Sequence, residues 1–205
     1  TVVERGSRSV IDTFFEEGLD GTHWHGNIVD ICPVGPLVSK EFLHKARAWD
    51  LEHTPSVCTS CSQGCNIDLH TRDNLVQRVK PRENLDVNAW WMCDHGRHDY
   101  EWLNRGGRIE APLVRSGGTS RASGWKDALS ALLTHAGEKN GAVKAVASPF
   151  ASNEDLGALK RIVDAFGGGE IVYRSARAED EVPLKGFPTL ARRKDLAPNT
   201  TAASM

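Results

Sequence analysis

The stretch CTSCSQGC, residues 58–65, concentrates three cysteines within eight residues, in a chain of 205 residues that contains five in all. A fourth, Cys93, follows Cys65 after 27 intervening residues, and Cys32 stands alone upstream within DICPVG. The residues between the first three cysteines are mostly small or polar, which suits a tight loop. The pattern C-x2-C-x3-C-x27-C therefore predicts one site that is built from two distant segments.

Four cysteines in this pattern favour an iron–sulfur cluster. A cubane cluster takes one thiolate per iron, so three close ligands can wrap one side while a distant fourth closes the other. Structural zinc is the alternative, but zinc sites usually pair two C-x2-C knuckles, and the fourth cysteine lies in WMCDHG without such a partner. Four unligated thiols are the third interpretation. The residues predicted to ligate a [4Fe–4S] cluster are Cys58, Cys61, Cys65 and Cys93.

The residues around the fourth cysteine are expected to form the surroundings of such a cluster. His95 and His98 follow it closely and are expected to contact these surroundings rather than to ligate the iron. A metal role is not expected for HWH at 23–25, because neighbouring loop residues rarely converge on one ion. An apolar shell that limits water access, or simple core packing, is expected from Trp90, Trp91 and Met92.

The composition excludes several classes of partner. The chain has 40% apolar and 25% charged residues, close to an average globular protein. Its net charge of −2 offers no electrostatic footprint for nucleic acid or an anionic membrane. No apolar run approaches the roughly 18 residues of a membrane span, and TVVERGSRSV lacks the apolar core of a signal peptide. Clustered cysteines without a signal peptide more often bind metal than form disulfides.

Hydrophobic periodicity divides the chain into a cysteine-bearing part and a later part in which strands and helices alternate. Residues 66–81 alternate apolar and polar side chains around a polar turn near 72–74, which predicts a β-hairpin. Alternation of strand and helix after residue 108 indicates an α/β layer with a parallel sheet. The last residues, LAPNTTAASM, are expected to be an unstructured tail. Further predicted elements are helices over 39–49, 125–139 and 153–169, and strands over 142–148 and 170–175.

The motifs carry a family resemblance. The four-cysteine spacing followed by DHGR resembles the iron–sulfur domain at the N-terminus of the molybdopterin oxidoreductase superfamily. DICPVGPLVSKEFLHKARAWDL, residues 30–51, is similar to the large iron–sulfur subunit of NADH-quinone oxidoreductases, the enzymes of respiratory complex I. KPRENLDVNAWWMCDHGR, residues 80–97, is similar to the same family. The resemblance extends to about residue 190, and its cysteine spacings are more specific than its α/β part.

The resemblance implies a mixed α+β and α/β architecture in three parts. Residues 1–50 would end a ferredoxin-like iron–sulfur domain, and residues 51–107 would form a small β-rich [4Fe–4S] domain. Residues 108–205 would begin an α/β molybdopterin-oxidoreductase-like domain with a disordered tail. In this family a cysteine before proline is the last ligand of a second [4Fe–4S] cluster, and Cys32 matches it. Its three partner ligands would lie upstream of Thr1, so the chain is expected to be a piece of a longer protein, truncated at both ends.

The implied function is electron transfer within an NADH:quinone oxidoreductase, from an NADH-oxidising flavoprotein towards quinone. The implied partners are the other subunits of the peripheral arm of complex I, with no nucleic acid and no membrane insertion. The implied location is peripheral, on the cytoplasmic side of the bacterial inner membrane. The chain itself would be an electron carrier without bond chemistry of its own.

Other classes of function stay open on the sequence alone. Catalytic molybdopterin enzymes often carry Lys two residues after the last cysteine, where this chain has His95. A molybdopterin is therefore not expected, although a catalytic molybdopterin oxidoreductase such as a formate dehydrogenase alpha chain is the alternative. A zinc-stapled interaction module without a redox role is a further alternative. A hydrogenase-linked diaphorase subunit ranks lower because it usually lacks the four-cysteine domain.

Overall fold

The computed structural model describes residues 2–12, 22–138 and 143–204. Short 3-10 turns occupy Gly6–Arg8, Ala48–Asp50 and Glu101–Asn104. The elements up to residue 98 are β1 (Val2–Val3), β2 (Val10–Ile11), α1 (Gly26–Ile31), β3 (Glu52–Val57), β4 (Asn66–Arg72), β5 (Leu75–Pro81) and α2 (Asp94–His98). Those that follow are β6 (Leu113–Ser116), β7 (Thr119–Ala122), α3 (Trp125–Glu138), β8 (Val143–Ala147), α4 (Asn153–Ala165), β9 (Gly169–Tyr173), β10 (Val182–Leu184), β11 (Phe187–Arg192) and α5 (Thr200–Ala203).

A three-stranded antiparallel sheet in the order β3-β4-β5 supports the cysteine segment. The predicted hairpin is confirmed as β4 and β5. Its two-residue turn has Asp73 at φ 53° and Asn74 at φ 59°, the left-handed pair that a type I′ turn requires. The third strand, β3, was not expected from the sequence. It contains Pro55, which is tolerated because β3 lies at an edge of the sheet.

The core of this sheet is the place where the cysteines are buried. Met92 is 1% exposed and Val79 is 4% exposed, so both lie fully inside. Leu190, from a distant part of the chain, joins the same cluster. The buried members of the cluster are Cys58, Cys65, Ile67, Val79, Met92, Tyr100 and Leu190.

One buried amide organises the loop that leads from β5 to Cys93. Asn88 is 1% exposed. Its Oδ1 accepts a hydrogen bond from the Asn66 backbone N–H at 2.9 Å. Its Nδ2 donates to the carbonyl oxygens of Arg82 and Trp91, each at 3.1 Å. The side chain thus supplies partners to part-buried backbone groups at the start of β4 and in the loop that follows β5.

The predicted helix over 39–49 is wrong. The Ser39 carbonyl accepts from the N–H groups of Phe42 and Leu43, at 3.1 and 3.0 Å, so a single turn forms. His44 then adopts φ 68°, which a right-handed helix cannot continue. Phe42 is buried beneath the Arg78 guanidinium, 4.2 Å from its ring centre. Packing of the Phe42 side chain against Arg78 therefore outweighs the helical preference of this segment.

The later part of the chain has the predicted alternation. Strands β8 and β9 pair in parallel, with Val143 opposite Gly169, and α4 is the crossover between them. The N-terminus of α4 is a capping box, in which Ser152 Oγ accepts from the Asp155 N–H at 3.1 Å and Asp155 Oδ2 accepts from the Ser152 N–H. Strands β6 and β7 form one antiparallel hairpin and β10 and β11 another. Within the described ranges, the structure has no helix with the length and apolarity that crossing a membrane requires.

The predicted unstructured tail is also wrong for the described residues 196–204. The Leu196 N–H donates to the Ala176 carbonyl at 2.9 Å, and Ala197 is fully buried. Asn199 Nδ2 donates to the Ala151 carbonyl at 3.0 Å, and α5 follows directly. Small side chains in this segment allow its backbone to approach α4 closely. The Ala and Thr residues that made the segment look like a tail therefore favour this packing.

Replacing Asn88 with alanine should destabilise the fold. The change removes the side-chain partner of the Asn66 N–H and of two carbonyl groups in a part-buried position. We expect the free energy of unfolding to fall by about 1–3 kcal/mol, measured by urea denaturation. Glu83→Ala, an exposed change in the same loop, is the control and should stay within about 0.5 kcal/mol of the parent. Equal stability of the two variants would contradict the role given to Asn88.

Candidate metal centre

The four clustered cysteines are brought together by two short segments that flank the sheet. Cys58 directly follows β3, and Cys65 directly precedes β4. Cys61 lies in the loop between them. Cys93 is the N-cap residue of α2, with extended backbone angles. The predicted grouping of these four residues is therefore what the fold produces.

The loop that carries the first three cysteines is closed by its own backbone and held from outside. The Cys58 N–H donates to the Cys65 carbonyl at 2.8 Å, which pins the two ends together. Gly64 adopts φ 68°, a conformation that side-chain-bearing residues rarely take, and so it allows the chain to turn back into β4. The Ser62 N–H donates to the carbonyl of Asp195 at 3.0 Å. Backbone hydrogen bonds and the turn at Gly64 therefore define the shape of this loop.

All four thiols are buried, and none forms a disulfide. Their exposed fractions are 8% for Cys58 and 5% for each of Cys61, Cys65 and Cys93. Free cysteine is often buried as a small apolar residue, so burial alone does not make a site. Here, however, the four buried thiols lie close enough to act on one another electrostatically. This closeness distinguishes them from cysteines scattered through a core.

The pKa values of three of these thiols are raised. Burial is the main cause for Cys58, Cys65 and Cys93, because the interior disfavours the charged thiolate. For Cys65 the charges of the three other cysteines add to the effect. For Cys93 the pKa rises to about 11, although a hydrogen bond from Gly96 acts in the opposite direction. Four thiolates could coexist here only around a compensating positive charge, which a metal core supplies.

The spacing of the sulfurs discriminates between the two kinds of metal centre. Thiolates on a tetrahedral zinc lie about 2.3 Å from the ion and hence about 3.8 Å from one another. Among the described residues, no three of the cysteine sulfurs lie within 4.8 Å of one another. A cubane separates its ligands more widely, because each thiolate binds a different iron. The donor set, in which Cys93 has no C-x2-C partner, therefore favours a [4Fe–4S] cluster over a single zinc ion, and the sulfur spacing is compatible with such a cluster.

Gly96 forms part of the wall around these sulfurs. A Cβ atom at this position would lie 2.7 Å from Cys58 Sγ and 3.9 Å from Cys93 Sγ. The Gly96 N–H donates to Cys93 Sγ at 3.5 Å. The absence of a side chain lets the backbone of α2 approach both sulfurs, and the amide can then hydrogen-bond to a ligand.

A polar network connects the centre to the segment that carries Cys32. Asp94 accepts hydrogen bonds from the N–H groups of His25 and Gly26, both at 2.8 Å. Asn27 Nδ2 donates to the Met92 carbonyl at 2.9 Å. Arg97, only 7% exposed, donates to Asn27 Oδ1 and pairs with Asp30 at 2.7 Å. These contacts fix α1 against α2.

Sequence reasoning did not single out this network. The strings GNIVD and DHGR carry it, but they show no periodicity and no ligand spacing. Their pairing joins residues that are 65 to 70 positions apart in the chain. The one available signal was a cluster of charged and amide residues next to a glycine in each string.

Cys32 lies apart from the four-cysteine centre. It ends α1, and its thiol donates to the Val34 carbonyl at 3.1 Å. It is half-buried, whereas the four clustered cysteines are buried. Cys32 thus differs from the other four in burial, and its assignment to a second set of ligands stays a prediction.

The aromatic shell is only partly as expected. Met92 is buried, and Trp91 packs against the core with its ring edge-on to Phe187 at 6.2 Å between ring centres. Trp90 is instead 50% exposed, because the chain turns at Ala89, where φ is 48°, and directs successive side chains to opposite sides. Water exclusion near Cys93 therefore depends on Met92 and Trp91, with Phe187 from β11.

Comparisons with known proteins agree with this geometry. Residues 51–105 match the family described as the molybdopterin oxidoreductase Fe4S4 domain. NADH-quinone oxidoreductase subunit 3 of Thermus thermophilus is 40% identical over 130 residues, 63% of this chain and 16% of that protein. An NADH-quinone oxidoreductase subunit of Rickettsia bellii is 34% identical over 166 residues, 80% of this chain and 24% of that protein.

A eukaryotic relative shows the same pattern. The mitochondrial NADH-ubiquinone oxidoreductase 78 kDa subunit of Candida albicans is 35% identical over 170 residues, 82% of this chain and 23% of that protein. The chain thus spans a quarter or less of the length of these relatives. The chain belongs to the family of the large iron–sulfur subunits of NADH-quinone oxidoreductases, and its residues 51–105 correspond to the molybdopterin oxidoreductase Fe4S4 domain.

Proposed function

We propose that this chain holds one [4Fe–4S] cluster and serves as an electron carrier. The ligands would be Cys58, Cys61, Cys65 and Cys93. The observation that supports this most directly is the burial of these four thiols around one volume, with a spacing wider than a zinc ion requires. When bound, such a cluster supplies one-electron redox capacity. No side-chain arrangement for bond chemistry is needed for that role.

The chain's own residues would tune the bound cluster. Hydrogen bonds to ligand sulfurs and exclusion of water help set the reduction potential of such clusters. The Gly96 amide is aimed at Cys93 Sγ, and Met92 and Trp91 exclude water next to it. These three residues are therefore proposed as determinants of the potential.

The proposed setting is an NADH:quinone oxidoreductase. Because the chain spans a quarter or less of its relatives, activity and partners of the whole protein are inferred from the family. Electrons would pass between an NADH-oxidising flavoprotein and a quinone-reducing module. Partners would be other subunits of the peripheral arm, on the cytoplasmic side of the bacterial inner membrane. Cys32 would be the last ligand of a second [4Fe–4S] cluster whose other ligands are not in this chain.

A molybdopterin is not part of the proposal. His95 occupies the position two residues after the last cysteine where catalytic molybdopterin enzymes often have lysine, and the structure places it in the first turn of α2. The division into residues 1–50, 51–107 and 108–205 is kept as a proposal. Leu190 of β11 belongs to the third of these parts, yet its side chain packs into the core that contains the cysteines of the second part.

Metal analysis of protein purified without oxygen tests the proposed cluster. We expect about four iron and four acid-labile sulfide per chain, no molybdenum, and a fast-relaxing EPR signal after dithionite reduction. Cys61→Ser should lose or degrade the cluster, whereas the matched variant Cys32→Ser should keep it. One zinc without iron in the parent, or full iron content in Cys61→Ser, would overturn the assignment.

Gly96→Ala should interfere with the centre while changing only one methyl group. The added Cβ would lie within 2.7 Å of Cys58 Sγ, so either the helix or the ligand must move. We expect a marked loss of iron and sulfide per chain, and a shifted EPR spectrum for the remaining clusters. Gly137→Ala in α3, where the Cβ meets nothing within 4 Å, is the matched control. Equal iron content in both variants would show that Gly96 does not shape the centre.

The raised thiol pKa values predict how the cluster-free chain responds to pH. A folded thiol whose pKa exceeds its unfolded value of about 8.5 holds its proton more tightly in the fold. Stability is then full below a pH of about 8.5 and falls as pH rises towards the pKa of Cys93, about 11. Unfolding monitored between these pH values should show this decline, and Cys93→Ser should reduce it. A cluster-free chain that is equally stable across this range would contradict the pKa assignment.

A further inference from the structure

A second group of metal-binding side chains lies outside the cysteine site. His25, Asp94 and His98 each offer a ligand atom within 4.8 Å of the other two, and theirs is the only such group among the described residues. His25 Nδ1 is 3.0 Å from Asp94 Oδ2. The two imidazole rings stack with 6.4 Å between their centres and 29° between their planes. Two imidazoles and a carboxylate are a donor set that zinc and related divalent ions take.

Neighbouring acceptors hold both imidazole rings in place. His98 Nδ1 lies 2.6 Å from Glu41 Oε2, so Nε2 is the ring nitrogen that would bind an ion when Nδ1 donates to this carboxylate. Histidines that ligate metals usually donate their other N–H to a carboxylate or carbonyl in this way. His25 Nδ1 faces Asp94 and lies 3.2 Å from the Thr22 carbonyl. An ion bound between His25 and Asp94 would replace the close contact between His25 Nδ1 and Asp94 Oδ2.

The group combines a fixed anchor with accessible ligands. The Asp94 side chain is 9% exposed and is held by the His25 and Gly26 amides. The His25 and His98 side chains are 31% and 32% exposed, so an ion can reach them from solvent. The Arg97 guanidinium pairs with Asp30 at 2.7 Å and also lies 3.8 Å from Asp94 Oδ1, so two carboxylates balance its charge. The Glu41 carboxylate beside His98 adds a further negative charge that favours a cation.

We propose that His25, Asp94 and His98 form a binding site for one divalent transition-metal ion of the zinc class, with Glu41 orienting His98. The site is separate from the four thiols and does not depend on the proposed function. A bound ion would join the segment before α1 to α2 and so staple the Cys32 segment to the helix that begins after Cys93.

Within HWH, the proposal involves His25 alone. The backbone carbonyl of His23 accepts from the Asp94 N–H at 2.8 Å. The partner of His25 is His98, far along the chain. Adjacent spacing gave no indication of it, because the fold alone brings α2 against this loop.

Zinc titration of the anaerobically purified, cluster-loaded protein tests the site, in a Cys32→Ser background that removes the accessible thiol. Isothermal titration calorimetry should show one saturable equivalent of Zn²⁺. The equivalent should be lost in His98→Ala and in His25→Ala, whereas His135→Ala, an exposed histidine in α3, should bind like the parent. Glu41→Gln should bind about 10- to 100-fold more weakly.

Zinc K-edge spectroscopy identifies the ligands directly. Nitrogen and oxygen neighbours at about 2.0–2.2 Å, without sulfur, are expected for this site. Sulfur neighbours at about 2.3 Å would place the zinc on cysteines and overturn the proposal. Absence of saturable binding, or binding retained in both histidine variants, would overturn it as well. Iron content, measured on the same samples, reports separately on the cysteine site.

Discussion

The part of the structure that carries the cysteines is organised around four buried thiols. Burial, and then the proximity of the other cysteines, raises the pKa of Cys58, Cys65 and Cys93, so these three thiols hold their protons tightly when no metal is bound. With a metal core they become ligands, and binding and folding are coupled. The sheet, the closed loop and the N-terminus of α2 all serve to deliver these side chains to the same volume.

The contact between α1 and α2 is the second organising feature. Arg97 is buried and pairs with Asp30, and removing one partner of such a pair leaves an uncompensated buried charge. Asp94 and Asn27 add hydrogen bonds to backbone groups on the opposite segment. The position of Cys32 relative to the four-cysteine centre is set by this network, and a second cluster ligated by Cys32 would inherit that fixed geometry.

Part of the core of the cysteine domain comes from far along the chain. Leu190 of β11 is 2% exposed within it, and Phe187 packs against Trp91. Arg193 Nε donates to Gln63 Oε1 at 2.7 Å, beside Cys65 in the cysteine loop. A boundary at residue 107 therefore divides the sequence, but residues from both sides of it pack in the same core.

Local spacing along the chain was enough to predict the grouping of four cysteines, the β4–β5 hairpin with its turn near residues 72–74, and the β8–α4–β9 unit. Ligand spacing and hydrophobic periodicity are properties of neighbouring residues, so the sequence shows them directly. Four other features came from the fold and not from local spacing: 39–49 is not a helix, 196–204 packs against α4, Trp90 is half exposed, and His25 lies close to His98. Each depends on contacts between segments distant in sequence, where burial of one side chain or one backbone group outweighs local preference.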